Sequence, residues 1–208
     1  MSEISRPKAA FAVYYMPMRI IAGSKKGMKL LSPKTDVSRP ITDRVKESLF
    51  NVLYKYDLPA GKCVADLFSG VGSLGLEALS RSAEFVTFVE KDPEIVKILE
   101  RNIEKAGFVK ESKVIRTNAF KFASGIIEGG QNCDIVFVDP PYAATKDVAG
   151  NSRLGNLLNT LAEKLNPNSF VVVRTDKQTE LFQRYGRLKI IERREWGTMA
   201  VTIFSMDR

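Results

Sequence analysis

An α/β fold with a mostly parallel, doubly wound sheet is what these 208 residues predict, on three observations. Five apolar, β-branched runs follow one another from residue 62: "KCVADLF", "FVTFVE", "KVIRT", "CDIVFVD" and "FVVVRT". Helical patterns separate them, at 73–81, 93–106, 119–127 and 155–164. Strands alternating with helices build a parallel sheet covered on both faces, because each crossover lays a helix against it. Thirdly, "LKIIERREW" and "MAVTIFS" flank Gly197-Thr198, which reads as a closing β-hairpin rather than another βαβ unit. That makes seven strands with an antiparallel C-terminal strand, and a short helical stretch is expected near 179–185.

The elements ahead of the sheet read as follows. Residues 1–17 are expected to be a mobile leader outside the functional chain, with Met18 as its start. "AAFAVYYM" follows Arg6 and Lys8 as a signal peptide would, yet lacks a small-x-small cleavage site. "MRIIAG" and "KGMKLLSP" predict two short strands joined by a glycine turn, a basic hairpin extension over 18–42. The main domain is expected to span 43–208. Thr42 suits a helix N-cap and Asp43 its first turn. Val45, Leu49, Val52, Leu53 and Tyr56 then recur at helical spacing as one apolar stripe.

Charge and composition narrow the function. Residues 1–46 hold ten Lys/Arg against three acids, while the remainder is nearly balanced, so most of the net +8 sits at one end. A basic end on a near-neutral body implies a polyanionic partner, and Arg19, Lys25, Lys26 and Lys29 of the hairpin are its candidate contacts. Cys63 and Cys133 lie in apolar stretches and read as free thiols of a reducing compartment, placing the chain in the cytoplasm. There is no histidine, which excludes Ser-His and Cys-His nucleophiles and argues against a metal. No run approaches the ~20 apolar residues of a membrane span.

The first strand runs into "DLFSGVGSLGLEAL", where Gly70, Gly72 and Gly75 match G-x-G-x-x-G and Glu90 ends the second strand. Such a loop lets backbone approach a ligand at a helix N-terminus while the acid accepts hydrogen bonds from ribose hydroxyls. It would equally serve as a tight strand-to-helix turn, and the pattern alone suits NAD as well as S-adenosylmethionine. Asp66, four residues before Gly70, favours the latter. Its carboxylate would repel a pyrophosphate but accept the cationic amino acid end of the methyl donor.

The fourth strand stops at "DPPY". An exocyclic amine on a nucleobase is a poor nucleophile, its lone pair being delocalised into the ring. The Asp139 carboxylate and the Pro140 carbonyl offer acceptors for its N–H groups, Pro140 and Pro141 fix the backbone direction, and Tyr142 offers a stacking face for a base turned out of its helix. Catalysis is then chiefly positioning. The tetrapeptide alone reads equally well as a rigid turn; beside Asp66, the glycine loop and Glu90, the catalytic reading is the stronger.

These residues resemble a Rossmann-like class I S-adenosylmethionine-dependent amino methyltransferase, whose motifs are a glycine loop and [D/N]-P-P-[Y/F]; residues 43–208 would form the methyltransferase domain. In order, "MRIIAGSKKGMKLLSP", "SRPITDRVKESLFNVL", "DLFSGVGSLGLEALSR" and "DIVFVDPPY" resemble the RsmD-type family, over residues 18 to about 205. That family modifies the 2-amino group of a guanine in small-subunit (16S) ribosomal RNA. The resemblance implies that Asp66, Phe68, Ser69, Gly70 and Gly72 border the methionine end of the donor, Glu90 and Lys91 its ribose, and Asn118 and Ala119 its adenine. Asp139 to Tyr142 would take the guanine, with Asp139 also bordering the donor. Arg39, Thr42 and Arg44 would lie at the mouth of the site, Thr42 also fitting a plain helix cap.

The chain departs from the family pattern at three places: Asn118 replaces an expected Asp, Met28 an expected Arg, and Arg174 an acid that typically closes the fifth strand. "DVAGNSRLG" after the tetrapeptide reads as a lid over the base or as a surface loop. The expected partner is ribosomal RNA, in a small-subunit ribonucleoprotein, and the expected state is a monomer. Two other readings stay open on sequence: an adenine amino methyltransferase acting on DNA or RNA, and a catalytically silent RNA-binding assembly factor of the same fold.

Overall fold

Near-continuous apolar runs in "CVADL" and its four companions produce a sheet with two apolar faces. The computed structural model describes residues 18–33, 41–122 and 133–207. Helix α1 (Asp43–Tyr54) precedes strand β1 (Cys63–Leu67). Then come α2 (Ser73–Ser80), β2 (Phe85–Glu90), α3 (Pro93–Ala106), β3 (Ser112–Arg116), α4 (Ala119–Phe122), β4 (Ile135–Val138), α5 (Arg153–Lys164), β5 (Phe170–Asp176), β6 (Arg184–Tyr185), β7 (Leu188–Trp196) and β8 (Met199–Met206). The sheet order is β3-β2-β1-β4-β5-β8-β7-β6. β1 to β5 are parallel, and β8 pairs antiparallel with both β5 and β7. Of these eight strands, seven correspond to those expected, and the two-residue β6 is an addition at the edge.

Period-two alternation sorts the core. Val64, Phe88, Phe137, Val172 and Ile203 face one side, packing with the α1 residues Leu49, Phe50 and Leu53 and with Leu99 and Ile103 of α3. Leu67, Val89, Val136, Val138, Val171 and Val173 face the other side, under Leu154, Leu157, Leu158 and Leu161 of α5. Burial on both faces explains why the strands read as near-continuous apolar runs. Helix ends follow local chemistry: Thr42 Oγ1 accepts from Val45 N, and Asp92 accepts from Glu94 N ahead of Pro93. Gly107, at φ 75°, closes α3.

Two expected elements are corrected. The N-terminal hairpin forms but is short: Ile20 N donates to Met28 O and Leu30 N to Met18 O on either side of the Arg19–Lys29 bridge, and Gly27 N donates to Ile20 O, around a 3₁₀ turn at Gly23–Lys25. Its outer edges are tied to the body of the protein. Ile21 N and Ala22 N donate to Glu77, and Leu31 N donates to Asn102 Oδ1 at 2.8 Å. No helix forms at 179–185. There the Thr179 carbonyl, which a helix would use, accepts from the Arg193 guanidinium instead, as does the Lys177 carbonyl ahead of it. Tyr185 then pairs with Leu188 in the β6–β7 turn. Of the helix expected at 119–127, residues 119–122 are helical and the rest lies outside the described residues, as do Arg39 and the leader. Both cysteines are free, and burial pushes the Cys133 thiol up to about 12. Among the described residues no helix is long and apolar enough to cross a membrane.

Candidate active site

Strand order reverses between β1 and β4, which lie side by side, and the carboxyl ends of neighbouring strands bring the acids together there. Asp66 stands opposite Phe88 of β2 and Phe137 of β4. Glu90 and Asp139 lie two residues beyond those partners on the same face, so Asp66 sits one layer deeper between them. Opposite Asp139, one step past the Val138–Val173 pair, stands Arg174 of β5. The row across the sheet edge is therefore Glu90, Asp66, Asp139, Arg174.

Asp66 is buried, and its Oδ2 accepts from Gly75 N at 2.9 Å in the first turn of α2. Burial raises its carboxyl to about 7, with the nearby charges of Asp139 and Glu90 adding to the effect against the Gly75 bond. Glu90 organises the loop above: Oε2 accepts from Gly70 N at 3.0 Å, and Oε1 from Lys91 N and Asp92 N. Gly70 and Gly72 have φ 53° and 88°, and Phe68 is left-handed at 61°. Gly75 is required by contact rather than by φ, since a Cβ there would lie 2.3 Å from Cε1 of Phe88. The Ser69 hydroxyl is buried and has no partner among the described residues. Phe68 meets Phe120 edge-on at 4.8 Å between ring centres, and Asn118 starts α4, its Oδ1 accepting from Phe120 N.

At the tetrapeptide, Asp139 Oδ1 accepts from Arg174 Nε at 2.6 Å. The Asp139 carboxyl is raised by burial, and Arg174 opposes that rise. Pro141 O accepts from Ala144 N in a 3₁₀ turn at Tyr142–Thr145, whereas the Pro140 carbonyl has no partner among the described residues. Tyr142 Oη is buried without a partner among them as well.

A family profile described as "Conserved hypothetical protein 95" matches residues 18–205. A protein of Haemophilus influenzae named ribosomal RNA small subunit methyltransferase D is 35% identical over 87% of this chain and 88% of its own length. The protein of that name from Escherichia coli is 42% identical over 60% of each chain. The chain belongs to this RsmD-type family. A solved Escherichia coli structure described as a methyltransferase superposes with a TM-score of 0.76 at 30% identity, covering 92% of this chain and 99% of that one. An RNA methyltransferase from Salinibacter ruber, in complex with S-adenosyl-L-homocysteine, shares the fold at 18% identity and TM-score 0.59, over 81% of this chain and 94% of that one.

In this RsmD-type chain the residues expected to take donor and base converge on one sheet edge, and those expected to meet RNA do not all present free cations. Lys26, Lys29 and Arg44 are exposed, and Lys25 is half-buried with its ammonium over the Phe108 ring. Arg19 pairs with Asp43, and Thr42 serves α1 as a cap. Lys46, one of the ten cations that give the N-terminal end its charge, is buried. It donates to Arg19 O and Ser73 Oγ and lies 3.5 Å from Glu77, which also binds Arg81. The segment read as a lid or loop is stitched down: Asp147 takes Ala149 N, Ser152 caps α5, and Tyr185 Oη donates to Val148 O. Sequence reasoning missed the Lys46–Glu77–Arg81 cluster, and missed that Arg174 engages Asp139. Only the i,i+4 spacing of Glu77 and Arg81 carried a signal.

Proposed function

We propose that this chain transfers a methyl group from S-adenosylmethionine to the exocyclic 2-amino group of a guanine in small-subunit ribosomal RNA, acting as a monomer on a ribonucleoprotein. The observation that carries the reading is the meeting of Glu90, Asp66 and Asp139 at three neighbouring strand ends, with Asp139 continuing into Pro140-Pro141-Tyr142. Family membership and the names of the relatives support ribosomal RNA as the substrate. The residues present fit the donor. Asp66 carries a burial penalty that a neighbouring cation would relieve, Ser69 offers an unpartnered hydroxyl, and Gly70 has open space where a Cβ would stand. Asp66, Phe68, Ser69, Gly70 and Gly72 would hold the methionine end, Glu90 and Lys91 the ribose, and Asn118 and Ala119 the adenine. When bound, that donor supplies a methyl group on a positively charged sulfur, already a strong electrophile.

The protein's own contribution is to hold the amine. Asp139 and the Pro140 carbonyl accept its N–H groups and draw the nitrogen lone pair out of conjugation. The prolines keep that carbonyl from turning away, and Tyr142 supports the base. To test this, the protein is incubated with labelled donor and ribosomal RNA, naked and in assembled small subunits, and the nucleosides are identified after digestion. Labelled 2-methylguanosine is the expected product. 6-Methyladenosine would overturn the choice of base, and absence of label would overturn the activity.

A further inference from the structure

The four side chains across the sheet edge comprise three carboxylates and one guanidinium, and the guanidinium touches the carboxylate at the tetrapeptide. Arg174 Nε lies 2.6 Å from Asp139 Oδ1, with the side chains 11% and 17% exposed. A contact this short and this sheltered is fixed by the sheet: β4 and β5 are paired in register up to Val138–Val173, so the two residues are held opposite each other. Asp139 N also donates to Leu67 O, at 3.4 Å, which ties its backbone to β1. Among the described residues the side-chain partner of the Asp139 carboxylate is Arg174, engaged through Oδ1, which leaves Oδ2 to a ligand.

We propose that Arg174 is a positioning residue that keeps Asp139 ionised and turns one carboxylate oxygen toward the target amine. This rests on the proposed function, in which Asp139 receives that amine. An amine N–H needs an acceptor, and a protonated carboxyl would present an O–H to it instead. Burial favours the protonated form of Asp139, and beside it on β1 stands Asp66, itself raised by burial and by the charges of Asp139 and of Glu90 from β2. Tyr142, from the turn after β4, is the remaining titratable group on that side. Arg174 is the cation that opposes the effect of burial, which still leaves the Asp139 carboxyl raised. Holding that rise back keeps Asp139 an acceptor that orients the amine, whose proton then leaves to solvent.

The test compares Arg174→Gln and Arg174→Lys with the unaltered protein in methyl transfer to ribosomal RNA from pH 5 to 9. Affinity for S-adenosylhomocysteine and the carboxyl ¹³C titration of Asp139 are measured alongside. Arg174→Gln is expected to lower kcat at least tenfold, leave the affinity for S-adenosylhomocysteine within threefold, and move the acid limb of kcat and the Asp139 titration up by a pH unit or more. Arg174→Lys, which keeps the charge, is expected to hold the acid limb in place while losing part of the rate. An acid limb and carboxyl titration unmoved by Arg174→Gln would overturn the inference, as would a limb in Arg174→Lys that moves as far as in Arg174→Gln. If the unaltered protein transfers no methyl group, the proposed function fails, and the Asp139 titration still decides whether Arg174 holds it ionised.

Discussion

At the scale of single residues, Asp66 and Asp139 are two buried acids with different partners, and the difference dictates how each should be probed. Asp66 is bound by a neutral amide and titrates near 7, well above an ordinary carboxyl at 3.8. A raised folded-state value means that the protonated form stabilises the fold. That contribution is complete below pH ~4 and is lost as the pH climbs through 7, by up to ~1.4 kcal/mol per unit. Asp66→Asn, which keeps an oxygen for Gly75, should therefore gain stability relative to the unaltered protein between pH 4 and 8 in urea unfolding. The same change should remove the pH dependence of donor binding, which otherwise rises toward pH 8 as the carboxylate that faces the ammonium forms; a rise that persists in the variant would remove Asp66 from the donor site. Asp139→Ala should abolish transfer and leave donor affinity nearly intact, and it will also cost stability by taking the carboxylate away from the part-buried Arg174 guanidinium. The double change Asp139→Ala with Arg174→Met should recover most of that stability in thermal melts while remaining inactive. If the double variant were as unstable as the single one, the ion pair would not be the source of the loss.

At the scale of elements, the hairpin, α1 and α2 form one unit through charges that never reach solvent. Glu77 accepts from Ile21 N, Ala22 N and Arg81 Nε and faces Lys46, while Asn102 of α3 bonds both Leu31 and the Val71 carbonyl of the glycine loop. Burial lowers the Lys46 ammonium, and Glu77 counters it. Glu77→Ala should cost about 3–5 kcal/mol in urea unfolding, because it leaves two buried cations uncompensated. It should also speed hydrogen exchange at Ile21 and Ala22 beyond the increase at other amides, which global destabilisation alone would not explain. What was legible here was local. α3 runs over the 93–106 expected, with Asp92 and Gly107 closing its ends, and "FVTFVE" and "FVVVRT" declare buried strands by composition. What was illegible depended on distant partners. Arg193 reaching two carbonyls competes with a helix at 179–185, and Glu77 taking the Ile21 and Ala22 amides ties the short hairpin to α2. The site divides in the same way. Asp66, Glu90 and Asp139 end strands and could be read from the sequence, whereas Arg174 gains its role only from lying opposite Asp139 across two strands.

At the scale of the whole molecule, the uneven charge remains an RNA-docking argument, with fewer participants. Lys46 is buried with Glu77 and the exposed Arg19 is paired with Asp43, so among the described residues the N-terminal end offers RNA Lys26, Lys29 and Arg44, with Lys25 half-buried beside Phe108. Removing residues 18–34 to test docking would uncover Ile20 and Leu30, both buried in the core, and would confuse weakened binding with failed folding. Charge removal at the surface avoids this. Lys25→Gln, Lys26→Gln and Lys29→Gln together should weaken RNA binding and flatten its dependence on salt, by roughly 0.7 to 0.9 in the log–log slope for each phosphate no longer neutralised. Lys46→Met should leave that slope unchanged even though it removes the same formal charge, since a side chain sealed against Glu77 releases no counterion when RNA arrives. Equal slopes for the triple variant and the unaltered protein, measured by titration at several salt concentrations, would move the docking surface away from the hairpin. Deleting residues 1–17 should alter neither the slope nor the rate of transfer.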